Sequence, residues 1–224
     1  MANNCLITKL KSVVNNDELM KLGEIVVYNE VTSNTTIRFD RSTPYGYTPL
    51  SIRTYADDGT LIRTISHTNG NITITPEEKK ILIDQKYDLM VAQFNGTVNF
   101  DPNQILYSKG LYAFNMGSNL WFLENTFDVS KLSVLSDLQQ LTIINNRNNI
   151  VGELTDIARL SKLQSINIRE TGISGDLEDL ASLAYLHEVN IAYCSNISVK
   201  RSTLNAFAAR NITVIYTQTP IEDV

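Results

Sequence analysis

Leu135-Ser-Asp-Leu138-Gln-Gln-Leu141-Thr-Ile143, Leu160-Ser-Lys-Leu163-Gln-Ser-Ile166-Asn-Ile168 and Leu183-Ala-Tyr-Leu186-His-Glu-Val189-Asn-Ile191 are three copies of one pattern. Leu138, Leu163 and Leu186 are offset by 25 and then 23 residues. Self-similarity at a period in the twenties marks a solenoid, in which no repeat can bury its apolar face alone and stacking builds one continuous core. The alternation at the end of each copy reads as a short strand, with Leu141 and Ile143, Ile166 and Ile168, Val189 and Ile191 pointing inward.

The register holds well beyond those positions. Three residues after the last apolar position stand Asn146, Thr171 and Cys194, small polar side chains suited to hydrogen-bond backbone amides inside a turn. Ile150, Ile173 and Ile197 fall in step, and Gly152 and Gly175 follow the first two of them by two residues. Val129, Leu154 and Leu177 form another column, and Leu132, Ile157 and Leu180 the next. Toward the C-terminus Val214 and Tyr216 keep the strand columns, but Asn211 stands where Leu186 predicts a leucine. A degenerate unit is expected there as a cap, because an end repeat has no neighbour to bury it.

The run Ile173-Ser-Gly-Asp-Leu177-Glu-Asp-Leu180-Ala-Ser-Leu183-Ala-Tyr-Leu186 resembles the bacterial and phage variety of leucine-rich repeat. The likeness covers residues 127–217 and implies a scaffold that builds binding and assembly surfaces.

Residues 1–100 are a different kind of object. Short β-prone runs are broken by turn residues: Cys5–Thr8, Glu24–Tyr28, Thr35–Phe39, Leu50–Tyr55, Leu61–Ile65 and Asn71–Thr75. The hairpin signal is clearest around Asp57-Asp58-Gly59, which supplies the left-handed conformations of a tight turn, and Asn69-Gly70 offers a second turn. Thr75-Pro76-Glu77-Glu78 reads as a helix start, with a cap, a proline at the first helical position and acids in the first turn. It predicts a helix over Lys79–Lys86. The expected architecture is β-rich, α+β and two-domain: a β-sandwich-like or α+β module over residues 1–100, then the solenoid. Residues 101–126 form the connection, with a strand over Leu111–Phe114, and 218–224 a tail. Trp121, Phe122 and Phe127 are suited to cover the solenoid's open end, with sugar stacking by Trp121 as the alternative.

A second resemblance belongs to this half. Leu6-Ile-Thr-Lys-Leu-Lys-Ser-Val-Val-Asn-Asn-Asp-Glu-Leu-Met-Lys-Leu-Gly-Glu24 resembles N-terminal segments of structural proteins of Bacteroidales phages, the crAss-like group among them. It implies a module that docks on a virion appendage. Separately, Leu19, Leu22, Ile25 and Val27 place apolar side chains near the N-terminus, where a docking segment could order on its partner or else fill the β core.

Charge and composition narrow the function. A net charge of −5 and a pI near 5.1 argue against a phosphate-binding surface, so nucleic acid is not an expected partner. The sequence has no run of 18 apolar residues for membrane insertion, and its opening lacks the pattern of a secretory signal. Cys194 falls in the turn column and is expected as a buried reduced thiol, with a bridge to Cys5 the alternative.

Chemistry is hard to place on this sequence. His67 and His187 are its two histidines, and neither sits in a spacing that suits a zinc site or a catalytic triad. Asp176, Glu178 and Asp179 cluster near Gly175, but Asp156 shares the column of Asp179, so repeat periodicity accounts for them. There is no P-loop, dinucleotide fingerprint or HExxH motif. No catalytic residue, metal or cofactor is expected.

The candidate binding face is then Thr142, Ile144 and Asn145; Asn167, Arg169 and Glu170; Asn190, Ala192 and Tyr193, with Thr142, Asn167 and Asn190 stacked as a polar ladder. The resulting expectation is a non-enzymatic virion component: a head or tail fibre, capsid decoration or tail accessory protein. It would be homo-oligomeric, with protein partners, attached by its N-terminal module. The alternative is a cytoplasmic bacterial adaptor binding a protein through its repeats.

Overall fold

The computed structural model describes residues 24–29, 32–41, 50–67, 70–84, 89–95, 98–100, 106, 110–116, 126–144 and 149–222. The expectations for Cys5–Thr8, Leu19, Leu22, Trp121, Phe122, Asn145 and Asn146 fall outside these residues.

The first half contributes β1 (Glu24–Asn29), β2 (Thr35–Arg41), β3 (Leu50–Tyr55), β4 (Leu61–His67), β5 (Asn71–Ile74), β6 (Lys80–Asp84), β7 (Leu89–Asn95) and β8 (Val98–Phe100). Among the described residues one sheet runs β4-β3-β6-β1-β8, and β7-β2-β5 lie side by side in another. Alternate side chains from both, including Val27, Ile37, Ile52, Ile74, Ile81 and Ile83, are fully buried in a shared core. The Asp-Asp-Gly turn closes β3 on β4 as the sequence predicts: Gly59 takes φ +85°, and Asp58 Oδ1 accepts from the Thr60 amide at 2.9 Å.

The helix expected over Lys79–Lys86 does not form in its described residues, 79–84. Its start signal is real but ends in a turn: the Glu78 amide donates to the Thr75 carbonyl at 3.1 Å, and Glu78 Oε2 accepts from the Thr75 amide at 2.8 Å. The chain then runs straight into β6, between β1 and β3. Ile81, Leu82 and Ile83 are all buried there. Three consecutive buried apolar residues, two of them β-branched, suit a central strand covered on both faces, and that burial overrides the local helix signal.

In the second half, β9 (Ala113–Met116) and β10 (Phe127–Asp128) precede β11 (Gln140–Ile143), β12 (Ile150–Val151), β13 (Ser165–Asn167), β14 (Gly175–Asp176), β15 (Glu188–Asn190), β16 (Ile197–Lys200), β17 (Thr213–Ile215) and β18 (Ile221–Glu222). Gln140, Ser165, Glu188 and Thr213 are register partners in one parallel ladder, which reproduces the sequence period. On the far side of each coil β10 pairs with β12, and β16 lies between β14 and β18. The inward columns read from the sequence are in the core: Leu138, Leu141, Ile143, Leu163, Ile166, Ile168, Val189 and Ile191 are all fully buried. The repeats form a leucine-rich-repeat solenoid.

The turn column works through carbonyls, not through the amides expected. Thr171 Oγ1 donates to the Ile168 carbonyl at 2.8 Å, the Cys194 thiol donates to the same oxygen at 3.1 Å, and Thr219 Oγ1 donates to the Ile191 carbonyl at 2.6 Å. Cys194 is buried and free, and Thr219 extends the column into the last coil. Gly152 is required by both backbone and space: its φ is +120°, and a Cβ would sit 2.7 Å from Val129 Cγ2.

The C-terminal cap explains why a leucine is missing at position 211. Helix Arg201–Ala209 packs Phe207 into the core and ends in a Schellman motif. The Ile212 amide donates to the Phe207 carbonyl at 2.9 Å, and the Asn211 amide to the Ala208 carbonyl at 3.0 Å. Asn211 takes the left-handed position, φ +59°, and Ile212 supplies the buried apolar group instead. Arg210 ties the cap to the preceding coil by donating to the Ala181 and Leu183 carbonyls, each at 2.6 Å.

The sheets of the two halves are one. β9 pairs in parallel with β7 on one side and with β11 on the other, giving the order β17-β15-β13-β11-β9-β7-β2-β5. The segment expected as a connection therefore contributes an interior strand, and the buried residues of both halves belong to one cluster.

Candidate functional site

Strand alternation decides what the shared sheet shows on its outer face. Leu141 and Ile143 point inward, so Thr142 points out, and its register partners are Asn167 and then Asn190. The ladder read from the sequence is thus present, with all three side chains half-buried. It does not stop at the first repeat. Thr142 lies opposite Asn115, Asn115 opposite Gln93, Gln93 opposite Arg38 and Arg38 opposite Asn71, while Asn190 lies opposite Ile215 at the other end. A polar row thus crosses from the β module into the solenoid on one hydrogen-bonded surface.

The asparagines in the row are oriented by their own backbone. Asn167 Oδ1 accepts from the Arg169 amide at 3.4 Å, and Asn190 Oδ1 accepts from the Ala192 amide at 3.1 Å. One acceptor site of each oxygen is thus used locally, and each carboxamide also carries an NH2 that donates.

Beyond the strand ends the expected face changes character. Arg169 is exposed and stacks its guanidinium 5.0 Å from the centroid of the Tyr193 ring. Glu170 and Tyr193, both half-buried, occupy equivalent left-handed positions with φ of 58° and 63°, repeated at Gln218 with 56°. Ala192 does not belong to the exposed face: it is only 3% accessible. β15 ends at Asn190, so strand alternation no longer governs position 192. Ile144 is half-buried at the end of β11.

Val27, expected as an attachment residue, is likewise inside. Alternation along β1 turns it into the core, where it is fully buried. Ile25 is placed by its backbone pairing with Ile83.

Sequence reading missed a hollow of about 130 Å³ on the outer face, at the seam between the halves. Arg38, Tyr112, Asn115, Gln140 and Thr142 line it. Each is polar, but their convergence depends on the pairing of β2, β7, β9 and β11, and no local signal announces that pairing.

The carboxylates singled out from the sequence serve the fold. Asp176 Oδ1 accepts from the Glu178 amide at 3.0 Å, Asp179 Oδ2 accepts from the Asp176 amide at 3.0 Å, and Lys200 Nζ lies 2.7 Å from Asp176 Oδ2. Burial pushes the Asp176 carboxyl up, but hydrogen bonds from Lys200 and the Glu178 amide outweigh it and hold the group below the usual aspartate range. Asp156 pairs with Arg159 at 3.1 Å, and His187 is exposed. Among the described residues no group of three or more His, Cys, Asp or Glu side chains could hold a metal ion. Among those residues, too, no helix is long and apolar enough to cross a membrane.

No protein-family model and no curated protein sequence matches the chain. Solved structures similar to it include an internalin (inlF) from Listeria monocytogenes, at 24% identity and TM-score 0.42 over 55% of this chain and 33% of that one. The leucine-rich-repeat ectodomain of the receptor kinase SOBIR1 from Arabidopsis thaliana is similar at 19% identity and TM-score 0.45, over 60% of this chain and 73% of that one. The chain thus spans about a third of the length of the internalin it resembles.

Proposed function

We propose that this chain is a non-enzymatic binding protein that holds a partner protein against the outer face of its shared sheet. In our reading it is a structural or appendage component of a phage virion, anchored through its N-terminal segment. The observation that carries the binding reading is the row from Arg38 through Asn115, Thr142 and Asn167 to Asn190. A rigid sheet with a file of oriented polar groups suits contact, and mounting it on two halves that share one core keeps it pre-organised. The virion reading is supported by the resemblance of Leu6–Glu24 to phage structural proteins. Several copies on one particle would let avidity compensate for a small face.

The experiment is immunogold labelling of purified particles from cells expressing the chain, with antibody raised against residues 127–217. Regular label on particles, lost when residues 1–23 are deleted although the truncated protein is still made, is the expected result. Unlabelled particles alongside abundant free protein would overturn the virion reading. Light scattering on the purified chain tests self-association, for which an oligomer is expected.

A further inference from the structure

We infer that the hollow at the seam is a receptor for one side-chain carboxylate of an extended partner segment lying along the sheet. This rests on the protein-binding reading above and adds the chemistry of the partner. Arg38 is the cation among the described lining residues, and none of them is a carboxylate. The other polar lining residues, Asn115, Gln140, Tyr112 and Thr142, each carry a side chain able to donate. A guanidinium carries five N–H donors in a fixed fork, so a carboxylate can be engaged alongside the contacts Arg38 already makes.

The rest of the face limits the partner to a single acid. Glu188 is exposed in the register row of Gln140 and Ser165, two strand spacings or about 10 Å from Gln140. Glu170 lies beyond the end of β13. A run of acids would meet these carboxylates. One acid followed by neutral acceptors would not, because Asn167 and Asn190 continue the row with carboxamides that can donate. From Arg38 to Thr142 is three strand spacings, about 14 Å, which an extended segment of about four residues spans.

The test is nuclear magnetic resonance on the isotope-labelled full chain, titrated with three probes. These are acetyl-Ser-Glu-Ser-amide, acetyl-Ser-Gln-Ser-amide and glucuronate. The glutamate peptide should move the side-chain amide signals of Asn115 and Gln140 and the backbone signal of Thr142. It should bind about tenfold more tightly than the glutamine peptide, the difference between a charge-assisted and a neutral hydrogen-bonded pair. Arg38→Gln should erase that preference. Gln140→Ala, at an exposed position, should weaken both peptides and leave the preference, with signals from the core of the central repeat unchanged. Equal affinity for the two peptides, an undiminished preference in Arg38→Gln, no effect of Gln140→Ala, or a response to glucuronate alone would each overturn the assignment. Particle labelling is independent of this result, so labelled particles with no glutamate preference would sink this inference and leave the binding reading standing.

Discussion

Glu78→Gln should cost this protein about 3 kcal/mol, and most of that cost should vanish in acid. Glu78 is 1% accessible and accepts hydrogen bonds through both oxygens. Oε1 takes Thr54 Oγ1 at 2.6 Å and Arg63 Nε at 2.6 Å, while Oε2 takes Arg63 Nη2 and the Thr75 amide, each at 2.8 Å. Glutamine keeps the shape but offers one oxygen and an NH2. Whichever way the amide turns, that NH2 faces an N–H of Arg63, which can only donate. Removing one partner of a buried pair costs about 3–5 kcal/mol, and the low end applies because Arg63 is 42% exposed and can rehydrate. Burial pushes the carboxyl up, but the hydrogen bonds from Arg63, Thr54 and Thr75 and the guanidinium charge outweigh it and hold Glu78 below the usual glutamate range. A depressed folded value means that this stabilisation is fully present above the unfolded value, about 4.3. It is lost as pH falls through the folded one. Urea unfolding at constant m-value should therefore show a large gap between wild type and variant at pH 7 that narrows steadily below pH ~4. A gap under about 1 kcal/mol at pH 7, the range of an exposed pair, would refute the reasoning. So would a gap that does not shrink in acid.

Other substitutions read different parts of the fold. Leu163→Ala should cost about 2–5 kcal/mol in urea unfolding, because the side chain is fully buried between coils, whereas Asn167→Ala on the outer face should cost within about half a kcal/mol. Gly152→Ala should destabilise well beyond Gly59→Ala: both have positive φ, but a Cβ at 152 meets Val129 Cγ2 at 2.7 Å and Asp128 Oδ1 at 2.9 Å, and at 59 it meets nothing. Equal thermal shifts for the pair would contradict the packing described. Cys194→Thr should be tolerated within about 1 kcal/mol, since Thr171 and Thr219 occupy the same column, while Cys194→Val should lose a further ~1 kcal/mol with the bond to the Ile168 carbonyl. A thiol reagent that modifies native Cys194 rapidly would argue against its burial.

What the sequence determined by itself is the solenoid. The spacing of Leu138, Leu163 and Leu186, the buried alternation of Leu141 and Ile143, and the outward ladder of Thr142, Asn167 and Asn190 follow from local periodicity, because each coil buries the same columns against its neighbours. The Asp57-Asp58-Gly59 hairpin was legible for a similar reason, a turn chemistry that acts over a few residues. Where local and long-range preferences compete, the sequence misleads: Thr75–Glu78 carries a helix start, yet Ile81–Ile83 are drawn into the centre of a sheet by strands distant in the chain. Ala192 and Val27 show the same limit, one beyond the strand that would expose it and the other turned inward by β1. Only the tertiary structure decided that β9 joins the halves into one sheet and one core, bringing Arg38 into line with Asn115 and Thr142. The partners in that pairing, β2, β7, β9 and β11, carry no shared repeat. Their register is set by hydrogen bonds and burial between segments far apart in sequence, which periodicity along the chain does not encode.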